Sequence, residues 1–415
     1  MEVSIVESIV ERFRERYGRE PSTVASAPGR LDFLNTHQDY KGLPVVAVGI
    51  NLRTYIAIEG IEGKSCEVFS ENIGLEDKFS IVDAKLVKGK WFGNYLRASI
   101  IALKNHGYNV TGFRAYIHSD IPIASGLGSS AALTVAFIMA LNAEFDLKLS
   151  RRDIAELAFE AENQVMGIPC GRLDQYASSY GGVILINTKP PYSVSELDFG
   201  KGLFVVVDSG IRHSTADIHP NRQREIEEGL KKLLSMELPG HIRSRLGYRF
   251  WEPRWDELSE DELKPYLESI DRVSLNRILF TLRMHRSTML AIEIMKGVKI
   301  NVDEMSSAIE IDRESAEMIL NVDDWDLRAI GTIMLYQHKL LSKLYDVSLP
   351  ELDKIVERIT DAGAYGAKLS GAGLGGAVIG LVKDFEIGRK ALDRVVGSYA
   401  ANGYMVNIDR GAVVH

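Results

Sequence analysis

Between Gly126 and Ala132 the chain reads GLGSSAA, small residues and two hydroxyls set between a strand-like run and an apolar helix-like one. A turn of this kind aims successive backbone N–H groups, and the positive end of the following helix, at one point. Its small residues let a phosphate come close, and Ser129 and Ser130 add hydroxyls able to bind phosphate or Mg²⁺. Tight helix–strand packing would use the same glycines, so the run alone leaves both uses open. Three other nucleotide folds can be tested against it. The GxxxxGK[ST] pattern is absent, because no lysine follows the glycines. Gly126, Gly128 and Ala131 match GxGxxA, but residues 131–165 read as two consecutive helices without the second strand that the dinucleotide fold requires. The HRD and DFG motifs of protein kinases are absent as well.

Further groups could do chemistry. Glu162 lies in FEAENQVMG and Asp174 in GIPCGRLDQYASSYGG, both flanked by small or apolar residues. Most carboxylates are solvated; a buried one needs a cation beside it. Phosphoryl transfer uses such groups: a Mg²⁺ ligand, a carboxylate to orient or deprotonate the attacking hydroxyl, and positive charge near the transferring group. Arg30, beside a glycine, could supply that charge. Arg30 heads the stretch GRLDFLNTHQDYKG, where Thr36, His37, Gln38, Asp39 and Tyr40 crowd between two apolar runs. This is either a polar turn or a grip for a polyhydroxylated ligand. His213 and His219 stand with Arg212, Asp217 and Arg222 just after the run LFVVVDSG. In SGAGLGG, Ser370 to Gly376, dense glycine implies close backbone approach to a ligand or to a neighbouring loop, or a bulged hairpin.

The elements that must position these groups follow from periodicity and punctuation. The N-terminal stretch reads as an amphipathic helix stopped near Gly18. STVASAPGRLDFL and VVAVGINLRTYIAIEGI alternate like paired strands, with shorter β candidates in EVFSENIG and KFSIVDA. GKWFGNYLRASIIALKNHG reads as a helix and GFRAYIHSDI as a strand. The glycine-rich turn runs into one helix, and SRRDIAELAFEAENQVMG follows as another with Ser150 as N-cap. YGGVILIN and KGLFVVVDSG read as strands, and about Pro220 to Tyr345 as helical. The end is mixed α and β. At 415 residues the chain is too long for one core, and the shift in pattern predicts two domains, 1–203 and 204–415.

Composition narrows the function. The formal charge of −8 argues against nucleic-acid and membrane-surface partners, which want clustered Lys and Arg. Two cysteines, Cys66 and Cys170, form no disulfide framework or zinc motif and point to a reducing, cytoplasmic compartment. The charged N-terminal helix is unlike a signal peptide, and no apolar run reaches membrane-spanning length.

With the motifs in this order, the chain resembles the GHMP small-molecule kinases, and among them the galactokinases. The likeness is carried by RFRERYGREPSTVASAPGRLDFLNTHQDYKG, PIASGLGSSAAL, AENQVMGIPCGRLDQ, DSGIRHSTADIHPNRQREIEE and KLSGAGLGGAV. The resemblance implies an α+β, two-domain GHMP kinase fold, with a ribosomal S5 domain 2-like N-terminal domain, a ferredoxin-like C-terminal domain and an active site in the cleft between them. It implies an ATP- and Mg²⁺-dependent sugar 1-kinase acting on galactose or a related sugar. Asp174 would orient or deprotonate the anomeric hydroxyl, and Arg30 would hold that aspartate ionised. Gly126, Leu127, Gly128, Ser129, Ser130 and Ala131 would bind ATP, and Ser130 and Glu162 would ligate Mg²⁺. The substrate-binding residues would be Thr36, His37, Asp39, Gly171 and His219.

The departures from the galactokinase pattern fall on the sugar side. Galactokinases carry Gly-Glu just before the His of the polar turn, where this chain has Asn35 and Thr36, and a sugar-contacting Tyr where it has His219. Arg172 replaces an apolar residue beside the catalytic turn. The Glu would face the sugar's C6 position, and two like charges about 4 Å apart cost on the order of 4 kcal/mol at an effective dielectric constant near 20. Its loss, with His219 or Arg172 gained, would admit an anionic sugar. The sequence therefore leaves open galactose, a variant such as galacturonate, a pentose or an amino sugar, and a non-catalytic sugar- and ATP-binding regulator. Mevalonate-type chemistry is disfavoured by the His-x-Asp-Tyr turn.

Overall fold

The computed structural model describes residues 4–122, 125–211 and 218–415. They form two compact units. Residues up to Leu31, Val48–Ile184 and Ile408–His415 make the first, and Asp32–Ala47 with Leu185–Asn407 make the second. The sequence places one boundary at 203/204. The chain instead passes between units at Leu31/Asp32, Ala47/Val48, Ile184/Leu185 and Asn407/Ile408. The reason lies in two long strands, β1 (Thr23–Leu34) and β2 (Val45–Ile61), whose joined ends reach beyond the first unit. No local pattern marks such a passage, because both strands run unbroken and buried across it.

In the first unit β3 (Ser65–Ser70), β4 (Leu75–Ser80), β5 (Gly112–Ser119) and β12 (Val413–Val414) join them in the order β12-β1-β2-β5-β3-β4. β6 (Val183–Asn187) pairs with β2 and in turn carries β7 (Ser193–Leu197). Only β3 and β5 run parallel in the registered pairs of this sheet. The helices of this unit are α1 (Ile5–Tyr17), α2 (Gly93–Asn105), α3 (Ser129–Glu144), α4 (Arg151–Glu160) and α5 (Leu173–Tyr180). α1 begins at a Ser4/Glu7 capping box and ends at Gly18 with φ 74°, the left-handed cap that glycine adopts at least cost. α4 is capped by Ser150 paired with Asp153. Apolar faces of α2, α3 and α4 meet the sheet in one core that includes Leu96, Ile100, Phe113, Phe137 and Ile154. The helix that carries α4 runs on through a π-turn, Ala161–Val165.

The second unit is built on an antiparallel sheet, β11-β8-β10-β9, of β8 (Leu203–Asp208), β9 (Gly366–Ser370), β10 (Ala377–Val382) and β11 (Asn402–Asn407). Helices Pro350–Asp361 and Phe385–Val395 cover it through Leu352, Ile355, Ile359, Ala391 and Val395. Between β8 and β9 lies the helical stretch read from the sequence, its longest helices Arg272–Met295 and Trp325–Lys343. The charge-dense stretch 256–264 presents Asp256, Glu257, Asp261 and Lys264 to solvent, while Glu260 pairs with Arg283 and Glu262 with Arg245. No helix among the described residues is long and apolar enough to cross a membrane.

Candidate active site

In the first unit the glycine-rich turn leads directly into α3. Gly126 and Gly128 have φ of 77° and 73°, and Gly128 caps α3. The first i→i−4 bond of α3 runs from Ala132 N–H to the Gly128 carbonyl. The N–H groups of Ser129, Ser130 and Ala131 therefore have no acceptor within the helix, which is the geometry that binds a phosphate. Leu127 contributes backbone alone: its side chain is buried, and its carbonyl accepts from Arg30 N–H at 2.9 Å. A Cβ on Gly128 would sit 3.1 Å from Arg30 Cγ, so glycine here also makes room for that arginine.

Arg30 grips Asp174 with two parallel hydrogen bonds, Nε to Oδ1 and Nη2 to Oδ2, both 2.7 Å. Its remaining terminal nitrogen, Nη1, donates to the Gly126 carbonyl. One guanidinium thus spans the carboxylate and the glycine-rich turn. Asp174 lies in the first turn of α5, where the helix dipole also favours a negative charge. Its side chain is 32% exposed against 10% for Arg30, so the carboxylate remains reachable. Gly171 is exposed just before this helix, and Asn163 Nδ2 closes the preceding turn on the Cys170 carbonyl at 3.0 Å.

Glu162 sits in the π-turn, 3% exposed. It accepts from Gln175 Nε2 at 3.0 Å and, weakly, from Thr134 Oγ1 at 3.5 Å. Burial pushes its pKa up to about 7, against the lowering effect of hydrogen bonds from Gln175 and Ser130. Gln175 Oε1 beside it is buried without a hydrogen-bond partner. A buried carboxylate held by neutral donors, a serine hydroxyl next to it and an orphaned amide oxygen make a set of hard oxygen donors. That set fits Mg²⁺, which keeps few protein ligands and takes the rest from water and phosphate.

In the second unit the polar turn is held by groups of the same unit. Asn35 and His37 both have φ 66°. The Thr36 hydroxyl, 2% exposed, donates to Asp32 Oδ1 at 3.0 Å and accepts from Lys368 Nζ at 2.9 Å. His37 Nε2 lies 3.0 Å from the Ala372 carbonyl. A carbonyl only accepts, so Nε2 carries the hydrogen and Nδ1 accepts from the Tyr40 hydroxyl at 3.2 Å. Burial, with His219 and Lys41 adding positive charge, holds the His37 pKa well below the usual imidazole value. Thr36 and His37, expected to contact a sugar, therefore spend their hydrogen-bonding groups inside the protein. Asp39 opens the 3-10 turn Asp39–Lys41 and is half-buried, as is His219. The His219 ring lies 5.2 Å from that of His37 and 5.3 Å from that of Tyr40.

Other candidates find other duties. Arg172 donates to Glu156 at 2.9 Å and stacks over Phe159 at 3.9 Å. Arg222 holds the Tyr345 and Asp346 carbonyls and Glu225. Arg212, His213 and Asp217 lie outside the described residues. SGAGLGG is the loop of the β9–β10 hairpin, and its close approach is to neighbouring loops: Cβ atoms on Gly373 and Gly375 would meet the Val347 and Ile211 carbonyls at 2.2 and 2.5 Å. Sequence reasoning missed Gln175, Lys41 and Lys368. The two lysines carried a signal, a charged residue inside or next to an apolar run.

Family models match at three places. The GHMP kinases N terminal domain covers residues 94–182, the GHMP kinases C terminal domain 319–401, and the galactokinase galactose-binding signature 11–59. The chain belongs to the GHMP kinases. This GHMP kinase is 29% identical over 377 residues to a galactokinase of Thermococcus kodakarensis, covering 88% of this chain and 92% of that one. It matches a crystal structure of Lactococcus lactis galactokinase complexed with galactose at 25% identity and a TM-score of 0.76, over 99% and 100% of the two chains. The Methanococcus jannaschii mevalonate kinase shares the fold, with 19% identity and a TM-score of 0.64 over 93% and 98%. The expected two-domain α+β GHMP kinase fold is the fold observed, and the enzyme is a phosphotransferase with an alcohol group as acceptor.

Proposed function

We propose that this GHMP kinase is an ATP-dependent sugar 1-kinase of galactokinase type, transferring the γ-phosphate to the anomeric hydroxyl of galactose or a related sugar. The observation that carries the reading is the Arg30 clamp, which holds Asp174 and the Gly126 carbonyl with one side chain. The anomeric oxygen attacks the γ-phosphorus, its proton passes to Asp174, and the bond to the β-phosphate oxygen breaks to release ADP. Arg30 pairs with the Asp174 carboxylate before the step and offers positive charge to the transferring group. The N–H groups of Ser129, Ser130 and Ala131 at the head of α3 bind phosphate oxygens. Ser130 and Glu162 would hold Mg²⁺, which when bound neutralises phosphate charge. Asp39, Gly171 and His219 are the proposed sugar contacts, with Thr36 and His37 in the same turn as Asp39.

A coupled ADP-release assay with galactose, galacturonate, N-acetylgalactosamine and arabinose tests this, with phosphorus NMR of the product. Sugar-dependent ADP release and a sugar 1-phosphate are expected. Release with no sugar of the panel, or phosphate on another hydroxyl, would refute it. A second reading, a sugar altered at C6, is favoured by one observation: position 36 presents a hydroxyl already engaged with Lys368 and Asp32. A higher kcat/KM for galacturonate or arabinose than for galactose would decide for it.

A further inference from the structure

Lys368 lies on β9 with no exposed surface at all. An ammonium so completely removed from water is retained only where it is satisfied, and among the described residues its side-chain hydrogen bonds go to Thr36 in the polar turn and to Asp32 just before it. Its Nζ donates to the Thr36 hydroxyl at 2.9 Å and to the Asp32 carbonyl at 3.1 Å. Thr36 passes the connection to the Asp32 carboxylate at 3.0 Å. Ser370, two residues further along β9, accepts from Asp32 N–H at 3.2 Å. Ala372, in the loop that follows, accepts from the His37 ring at 3.0 Å. One hairpin therefore pins the turn at Asp32, Thr36 and His37. The turn needs such pinning, because Asn35 and His37 both sit at φ 66°, a conformation that costs a non-glycine residue and persists only where surroundings enforce it.

We infer that Lys368 is a positioning residue for sugar binding: its buried ammonium, through Thr36 and Asp32, fixes the backbone of the turn and so the aim of Asp39. The inference rests on the sugar-kinase reading and adds a residue that touches neither sugar nor phosphate. Its physical content is a division of labour. ATP is handled by groups of the first unit, so loss of the Lys368 tie acts on the sugar term alone. Methionine at 368 keeps the length and apolar body of the side chain and removes the cation. It leaves Thr36 with a single partner and the Asp32 carbonyl without its ammonium donor.

The test compares wild-type enzyme with the Lys368→Met, Thr36→Val and Asp32→Asn/Lys368→Met variants, using the best sugar of the panel. Lys368→Met is expected to raise the sugar KM at least tenfold, with the KM for ATP and kcat held within about threefold. Thr36→Val, which keeps the cation, is expected to raise the sugar KM severalfold in the same direction. The double variant removes the leftover buried carboxylate charge and is expected to recover thermal stability without recovering the sugar KM. An unchanged sugar KM in folded Lys368→Met overturns the inference, as does a parallel loss in kcat and both KM values. Should Lys368→Met fail to fold, an unchanged sugar KM in Thr36→Val overturns it equally. A wild-type enzyme inert with every sugar would sink the sugar-kinase reading itself, and this inference with it.

Discussion

Arg30 and Asp174 stand 144 positions apart and meet through two hydrogen bonds of 2.7 Å. Asp174→Asn keeps the shape but removes both the proposed proton acceptor and the charge that Arg30 pairs with. It should lower kcat by about 10²- to 10⁴-fold while calorimetry still detects sugar binding; undiminished turnover would remove Asp174 from the mechanism. Glu162 supplies a pH dependence. Its pKa is raised by burial to about 7, so the protonated form is favoured in the folded enzyme, and only the ionised form serves a cation. Below about pH 7 protons compete with Mg²⁺, and the half-saturating Mg²⁺ concentration should climb by up to about tenfold per pH unit. Glu162→Gln should weaken Mg²⁺ binding and flatten that slope. An equally steep slope in the variant would assign the titration elsewhere. At this scale residue types were legible, because phosphate chemistry restricts them. The occupancy of the His37 nitrogens was not, since it depends on an Ala372 carbonyl 335 positions away.

Elements were legible where their signals are local. The capping box at Ser150 and the left-handed cap at Gly18 fall where the sequence places helix ends. The glycine-rich turn belongs to the same class. Gly128 combines φ 73° with the Arg30 side chain 3.1 Å from any added Cβ. Gly128→Ala should therefore cost about 1 to 3 kcal/mol in stability and raise the KM for ATP more than that for sugar. Urea unfolding and steady-state kinetics read the two effects, and an ATP KM that does not move would detach this turn from the nucleotide. The π-turn around Glu162 and the short helix α5 under Asp174 went unread. A π-turn is an insertion within a helical pattern and leaves the periodicity nearly intact. The Pro-Cys-Gly turn before α5 masks a helix of only 8 residues.

Across the whole molecule the chain returns at its end to the unit in which it began. Residues 408–415 add β12 beside β1 and bring Asp409, Arg410 and Gly411 to Arg53, which is 5% exposed. Ala412 N–H binds the Ser179 carbonyl at 3.0 Å and Gly182 N–H the Asp409 carbonyl at 2.7 Å, on either side of the end of α5. Deleting 408–415 strips a buried guanidinium of its carboxylate partner, a change of about 3 to 5 kcal/mol. The urea midpoint should fall and α5 should become sensitive to protease; an unmoved midpoint would deny this segment its structural part. By itself the sequence determined the local apparatus: the glycine-rich turn, the caps, the alternating strands and the candidate acids and bases. Each of these is a matter of contiguous residues and their backbone preferences. The tertiary structure alone decided which polar groups are already engaged: Arg30 with Asp174, Thr36 with Lys368, His37 with Ala372, Arg172 with Glu156. It also decided that the units exchange chain at four points. Both outcomes turn on contacts between positions 16 to 335 apart, where no local pattern records the partner.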